Sequence, residues 1–127
     1  MTPSELEAYL DEQRILNVAT IGPSGHPHLV AMWYAVRDGK IVFWTFGKSQ
    51  KILNLRRDPK MTGLVESGDS YNELRGVELV GVRYNGEGAL SDAALPFLEA
   101  QAKKRLGVVF EVERTASWDH RKLGGAY

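Results

Sequence analysis

The chain contains no cysteine. Disulfides, thiol redox chemistry, iron–sulfur clusters and thiolate zinc sites are therefore excluded, and nothing points to an oxidising compartment. Histidine is scarce: His26, His28 and His120 are the only three. His26 and His28 would share a face if both lay in a strand, but no carboxylate stands beside them, so no metal site is expected. Charge of one sign is not in surplus. Lys plus Arg and Asp plus Glu number 16 each, giving a formal net charge of zero and a pI near 6.8. A non-specific nucleic-acid binder is normally distinctly basic, so no nucleic-acid partner is expected. Long hydrophobic runs are missing as well. The longest, such as Leu29 to Val36, are too short to span a bilayer. The opening residues Met1-Thr2-Pro3-Ser4-Glu5 lack the basic region and apolar core of a secretory signal. A cytoplasmic protein is the expectation.

Self-sufficient catalytic machinery is also lacking. There is no G-x-S-x-G elbow, and neither Ser24 nor Ser49 has an evident base. Glu5, Glu7, Asp11 and Glu12 belong to an exposed helix and make no convincing acid–base pair. The catalytic side chain is thus unassigned by sequence. A protein without such groups can still do hard chemistry when a cofactor supplies it and the protein binds and orients.

What is present is one compact domain, residues 1–127, with 43% apolar and 25% charged residues. A domain of this size buries a modest fraction of its surface, which permits a dimer without requiring one. Thr2-Pro3-Ser4-Glu5 reads as a capping box opening a helix whose apolar face is Leu6, Tyr9 and Leu10. Strands are expected at Ile15 to Ile21, at Leu29 to Val36 (apolar enough to be buried on both faces), and at Lys40 to Phe46. Gly22-Pro23-Ser24-Gly25 and Asp38-Gly39 supply the turns between them. A helix to about Arg57 ends at Asp58-Pro59, and a fourth strand runs from Lys60 to Glu66. A polar loop from Ser67 to Gly76, a strand from Val77 to Val82, a helix from Ser91 or Asp92 to about Leu106 and a last strand from Val108 to Val112 follow. Antiparallel strands with tight turns and few helices predict a small, mainly β barrel.

The stretch from Ile41 to Pro59 carries the most chemistry. An apolar strand stops at Gly47; Lys48, Ser49, Gln50 and Lys51 follow; then Ile52 and Leu55 begin a helical pattern. Such a turn brings backbone N–H groups and the positive end of a helix dipole to one point, beside two lysines and a serine hydroxyl. That is a seat for a phosphate. Gly47-Lys48-Ser49 also matches the end of a P-loop, but Val42 stands where its first glycine is required, so a nucleotide triphosphatase is disfavoured. The plainer reading is a solvated helix start whose lysines face water. Met32, Trp33, Tyr34, Trp44 and Phe46 put aromatic and thioether surface on adjacent strands nearby. Most of these are core candidates; Trp33 and Thr45 are the better candidates for lining a pocket. Trp118 sits in a polar tail, where it would pack on its own domain or close a pocket on a second copy.

Ala19-Thr20, Gly25-His26-Pro27-His28, Met32-Trp33-Tyr34, Trp44 to Lys51, Asn54-Leu55 and Asp58-Pro59 form an ordered set. Together they resemble the pyridoxamine-phosphate-oxidase-like split β-barrel family. Gly68-Asp69-Ser70-Tyr71, Arg75-Gly76-Val77 and Trp118 to Leu123 are similar to its branch that uses the deazaflavin coenzyme F420. The resemblance covers nearly the whole chain. It implies a six-stranded antiparallel split barrel and a homodimer with cofactor in two inter-subunit clefts. It further implies that Lys48, Ser49, Gln50 and Lys51 hold the phosphate, while His28, Met32, Trp33 and Thr45 border the ring. Trp118 and Lys122 would approach from the partner subunit. The implied reaction is hydride transfer from reduced F420 to an unsaturated organic small molecule, with the proton coming from water or Tyr71. An FMN-dependent oxidase or reductase, or a non-catalytic flavin, F420 or haem carrier, is the alternative. The chain departs from the family at Ala31, where proline is common. It also departs at Gly81-Val82-Arg83, which joins directly two segments that relatives separate by more strand and a helix.

Overall fold

A computed structural model of the chain describes residues 1–84 and 105–123. Helix α1 (Pro3–Glu12) starts with the expected capping box. The Glu5 N–H donates to Thr2 Oγ1 at 3.2 Å, and the Thr2 N–H donates to Glu5 Oε1 at 2.9 Å. Two of the helix's orphan amides are thereby satisfied. The strands that follow are β1 (Ile15–Ile21), β2 (Pro27–Trp33), β3 (Ala35–Arg37) and β4 (Lys40–Phe46). Helix α2 (Gln50–Arg57) leads to β5 (Lys60–Ser67), β6 (Arg75–Arg83) and the long β7 (Arg105–Asp119), and short 3₁₀ turns at Tyr71–Glu73 and His120–Leu123 complete the order. One antiparallel sheet, ordered β2-β1-β5-β6-β7-β4-β3, curls into a half-barrel. Leu16, Val18, Phe43, Val65, Val77, Leu79, Val108 and Phe110 fill its concave side, with Ile52 and Leu55 of α2 closing one end. No helix among the described residues is long and apolar enough to cross a membrane.

The sheet has seven strands where six were expected. The extra one arises because the run from Leu29 to Val36 breaks at Tyr34. The Tyr34 N–H donates to the Arg14 carbonyl at 3.0 Å and its hydroxyl to the Leu10 carbonyl at 2.6 Å, which pulls it out of the ladder. Nor is that run buried on both faces. β2 is the outermost strand, only its His28, Val30 and Met32 side turns inward, and Leu29 and Trp33 are 70% and 77% exposed. At the β3–β4 turn, Asp38 and Gly39 have φ of 52° and 76°, the left-handed pair that a two-residue hairpin demands.

The last strand is fifteen residues long rather than five. Its first part pairs with β4 (Ile41↔Phe110 to Phe46↔Arg105), and its second with β6 (Arg83↔Phe110 to Arg75↔Asp119). Glu113 to Ala116 are exposed, so no apolar alternation marked them as strand. The helix expected from Ser91 or Asp92 lies outside the described residues except at Arg105 and Leu106, which begin β7 instead.

Candidate functional site

Strand β4 delivers Thr45 to the inner side of the barrel, and the chain turns through Gly47 and Lys48 into α2. Ser49 is the N-cap residue, in extended backbone, and its hydroxyl makes no capping bond to the helix. It accepts instead from Thr45 Oγ1 at 3.3 Å. Lys51, in the first turn, folds back so that its Nζ donates to Thr45 Oγ1 at 2.8 Å. Only 8% of Lys51 is exposed, and no carboxylate partners it among the described residues. Burial lowers its pKa from the ordinary lysine value. An ammonium taken out of water with one hydroxyl for company leaves two N–H groups and a charge uncompensated. Next to it stand the first-turn amides of α2, which the Ser49 side chain does not cap, and the Ser49 hydroxyl. The arrangement suits an anion.

On the same helix lies a polar network whose residues belong to the motifs quoted above but whose contacts the sequence did not show. Asn54, fully buried in α2, donates to Thr20 Oγ1 of β1 at 3.0 Å and accepts from Gln50 Nε2 at 2.8 Å. Arg57 NH2 donates to the same Asn54 oxygen at 3.3 Å and to the Ile21 carbonyl at 2.5 Å. α2 is thus fastened to β1 at a fixed height over the barrel. The available signal was the spacing: Asn54 follows Gln50 by one helical turn on the same face. His28 stands opposite Thr20 in the β1–β2 ladder, half-buried, and its Nδ1 has no hydrogen-bond partner. Arg83, at the end of β6 and joined by its N–H to the Pro59 carbonyl just after α2, is a further missed residue. Its guanidinium is buried, its Nε lacks a partner, and burial together with Arg56 lowers its pKa.

Not all expected site residues meet here. Thr45, Ser49 and Lys51 are in direct contact, Gln50 joins through Asn54, His28 faces the same end, and Lys48 is exposed on the turn. Met32 and Trp33, adjacent in β2, point to opposite sides: Met32 packs on the core, Trp33 lies outside across from Ile15. Trp118 and Lys122 occupy the other end of the molecule. Trp118 pairs with Gly76 and lies so close over it that a Cβ there would come within 2.3 Å of the indole. Lys122 Nζ binds Glu5 Oε1 of α1 at 2.7 Å. Gly76 and Arg83 are seven residues apart on β6, so Trp118 is roughly 23 Å from the α2 end at about 3.3 Å per residue. Tyr71 is exposed near that far end, with its ring 4.6 Å from the His120 ring. Among the described residues, no group of three or more His, Asp or Glu is placed to hold a metal ion.

Comparison with known proteins places this geometry. No curated protein matches the chain. A conserved hypothetical protein, Rv2991 from Mycobacterium tuberculosis, is 42% identical, with a TM-score of 0.87 over 100% of this chain and 90% of its own. An F420 reductase structure is 22% identical, with a TM-score of 0.70 over 87% of this chain and 94% of its own. A haem-binding protein from Mycobacterium smegmatis is 20% identical, with a TM-score of 0.67 over 94% of this chain and 60% of its own. The latter two likenesses establish the shared fold. The family model described as pyridoxamine 5'-phosphate oxidase matches residues 2–121, and with the half-barrel sheet described above, this chain belongs to that family.

Proposed function

We propose that the chain is a cytoplasmic F420-dependent oxidoreductase that works as a homodimer. The single observation that carries the reading is Lys51: a buried ammonium, bonded among the described residues to Thr45 alone, at the start of a helix whose cap hydroxyl makes no bond to its own amides. Lys48, Ser49, Gln50 and Lys51 would hold the phosphate region, with Thr45 locking Lys51 in place. When bound, the reduced deazaflavin supplies a hydride to an unsaturated organic substrate. The residues of the chain bind and orient, and alignment of donor and acceptor is itself a large part of such catalysis. His28, from the strand beside Thr20, would border the ring from the same end.

Trp118 and Lys122 lie at the opposite end of their own barrel, so a ring held near Lys51 would meet those of a second copy. The outer face of β1 and β2, where Ile15, Leu29 and Trp33 are exposed, offers the surface for that partner. The F420 assignment draws on the resemblance of Gly68 to Tyr71 and Trp118 to Leu123 to that branch, and on the fold shared with an F420 reductase. FMN is the second reading, because an anion seat reads a phosphate and is blind to the ring attached to it.

Titration of the purified protein with F420, FMN and haem, followed by tryptophan quenching, separates the readings. Selective tight binding is expected for F420. Lys48→Ala and Lys51→Ala should each weaken it by about 10- to 150-fold, the equivalent of about 1.5–3 kcal/mol for a charge-assisted contact. Selective binding of FMN would remove the F420 assignment, and unchanged affinity in both variants would put the phosphate elsewhere.

A further inference from the structure

A second concavity lies away from the anion seat. β4 accompanies β7 only as far as Phe110, and beyond that point β7 continues with β6 alone. A cavity of about 560 Å³ opens into the resulting gap, beneath α1. Its floor is the core itself, through Ile41, Leu79 and Phe110, and α1 adds Leu6 and Leu10 from above. That size and that apolar lining are those of a small-molecule pocket.

The mouth is acidic. Among the described residues, Glu7, Asp11 and Glu111 stand around it against one ammonium, Lys40. Lys40 is already engaged, its Nζ lying 4.9 Å from the centre of the Tyr84 ring. The ion pairs that α1 does make use Glu5 and Glu12, so among the described residues Glu7 and Asp11 form no salt bridge, one turn apart on the same face. The Arg14 guanidinium near Asp11 donates instead to the Asp11 and Gln13 carbonyls. Two like charges at that spacing repel, and a cation placed between them relieves the repulsion.

We infer that this cavity is a second ligand site, which takes an apolar body carrying a protonated amine. The body fills the floor, the ammonium lies among the three carboxylates, and charge sets the choice of ligand. The site is independent of the cofactor reading. Lys40 and Thr45 are five residues apart on β4, so the acidic mouth is roughly 17 Å from the anion seat at about 3.4 Å per residue.

Phenylbutylamine, phenylbutanol and phenylbutyrate present nearly the same body with positive, neutral and negative heads. Titrated into the full chain and followed by calorimetry and NMR, the amine should bind about ten-fold tighter than the alcohol, with the acid weakest. Its shifts should centre on Leu79 and Phe110. The combined variant Glu7→Gln, Asp11→Asn, Glu111→Gln alters exposed side chains only, so its circular dichroism should be unchanged while the preference for the amine disappears. Lys51→Ala should leave amine binding as it was. Absence of binding by all three probes, equal binding, shifts mapping elsewhere, or a preference that survives the combined variant would each overturn the inference.

Discussion

Lys51 is held by one hydroxyl in a buried position, and its charge is a cost to the chain. The direction of its pKa fixes the sign of the effect. A lysine whose folded pKa lies below its unfolded one destabilises the fold at pH values below both, and the penalty fades as pH rises through the folded value. Methionine has a similar reach and no charge. Lys51→Met should therefore raise the melting temperature of the ligand-free protein at neutral pH, by about 2–6 °C, while weakening binding of a phosphate-bearing cofactor. Differential scanning fluorimetry with and without ligand checks both halves. A lower melting temperature in the variant would mean that the Thr45 bond outweighs the buried charge.

The C-terminal 3₁₀ turn is held by two ion pairs, Lys122–Glu5 and Arg121–Asp119, together with a bond from the His120 N–H to the Leu74 carbonyl. Hydrogen bonding to Lys122 lowers the pKa of Glu5 to about 2, and hydrogen bonding to Arg121 lowers that of Asp119 to about 2. Depressed carboxylates stabilise above their unfolded pKa values, which lie near 4, and lose that contribution as pH falls through the folded ones. Between about pH 4 and pH 2 the turn should loosen before the barrel does. NMR would record this as movement of the Trp118 indole N–H signal while core methyl signals stay put, and Glu5→Gln should shift the onset upward. Elements set by neighbours in sequence were legible: the capping box at Thr2 and Glu5, the span of β1, the turn at Asp38-Gly39, and the strand–turn–helix from Thr45 to Lys51. What depends on register between distant strands was not. Whether Trp118 packs on its own barrel is decided by its pairing with Gly76, and the length of β7 by a polar half that only β6 makes into strand. Asn54 was hidden for the same reason, since its value lies in reaching Thr20.

For the whole molecule, the proposed dimer would rest on the outer face of β1 and β2. Leu29, Trp33 and Ile15 form an apolar surface on an edge of the sheet, which a solitary soluble domain has reason to cover. Replacing Leu29 and Trp33 by glutamate should convert a dimer to a folded monomer in light-scattering chromatography. The cofactor should be lost with the partner. A dimer that persists would move the interface elsewhere. The division of β7 between β4 and β6 also bears on how the polypeptide is made. β4 ends at Phe46 and its partner segment begins at Arg105, so the β3–β4 hairpin leaves the ribosome before the β7 residues that pair with Ile41 and Phe43 exist. At about 5–20 residues per second, roughly sixty further residues take about 3–12 s to synthesise. For those seconds the nascent chain offers chaperones an open apolar strand, and the barrel closes only once β7 has been made.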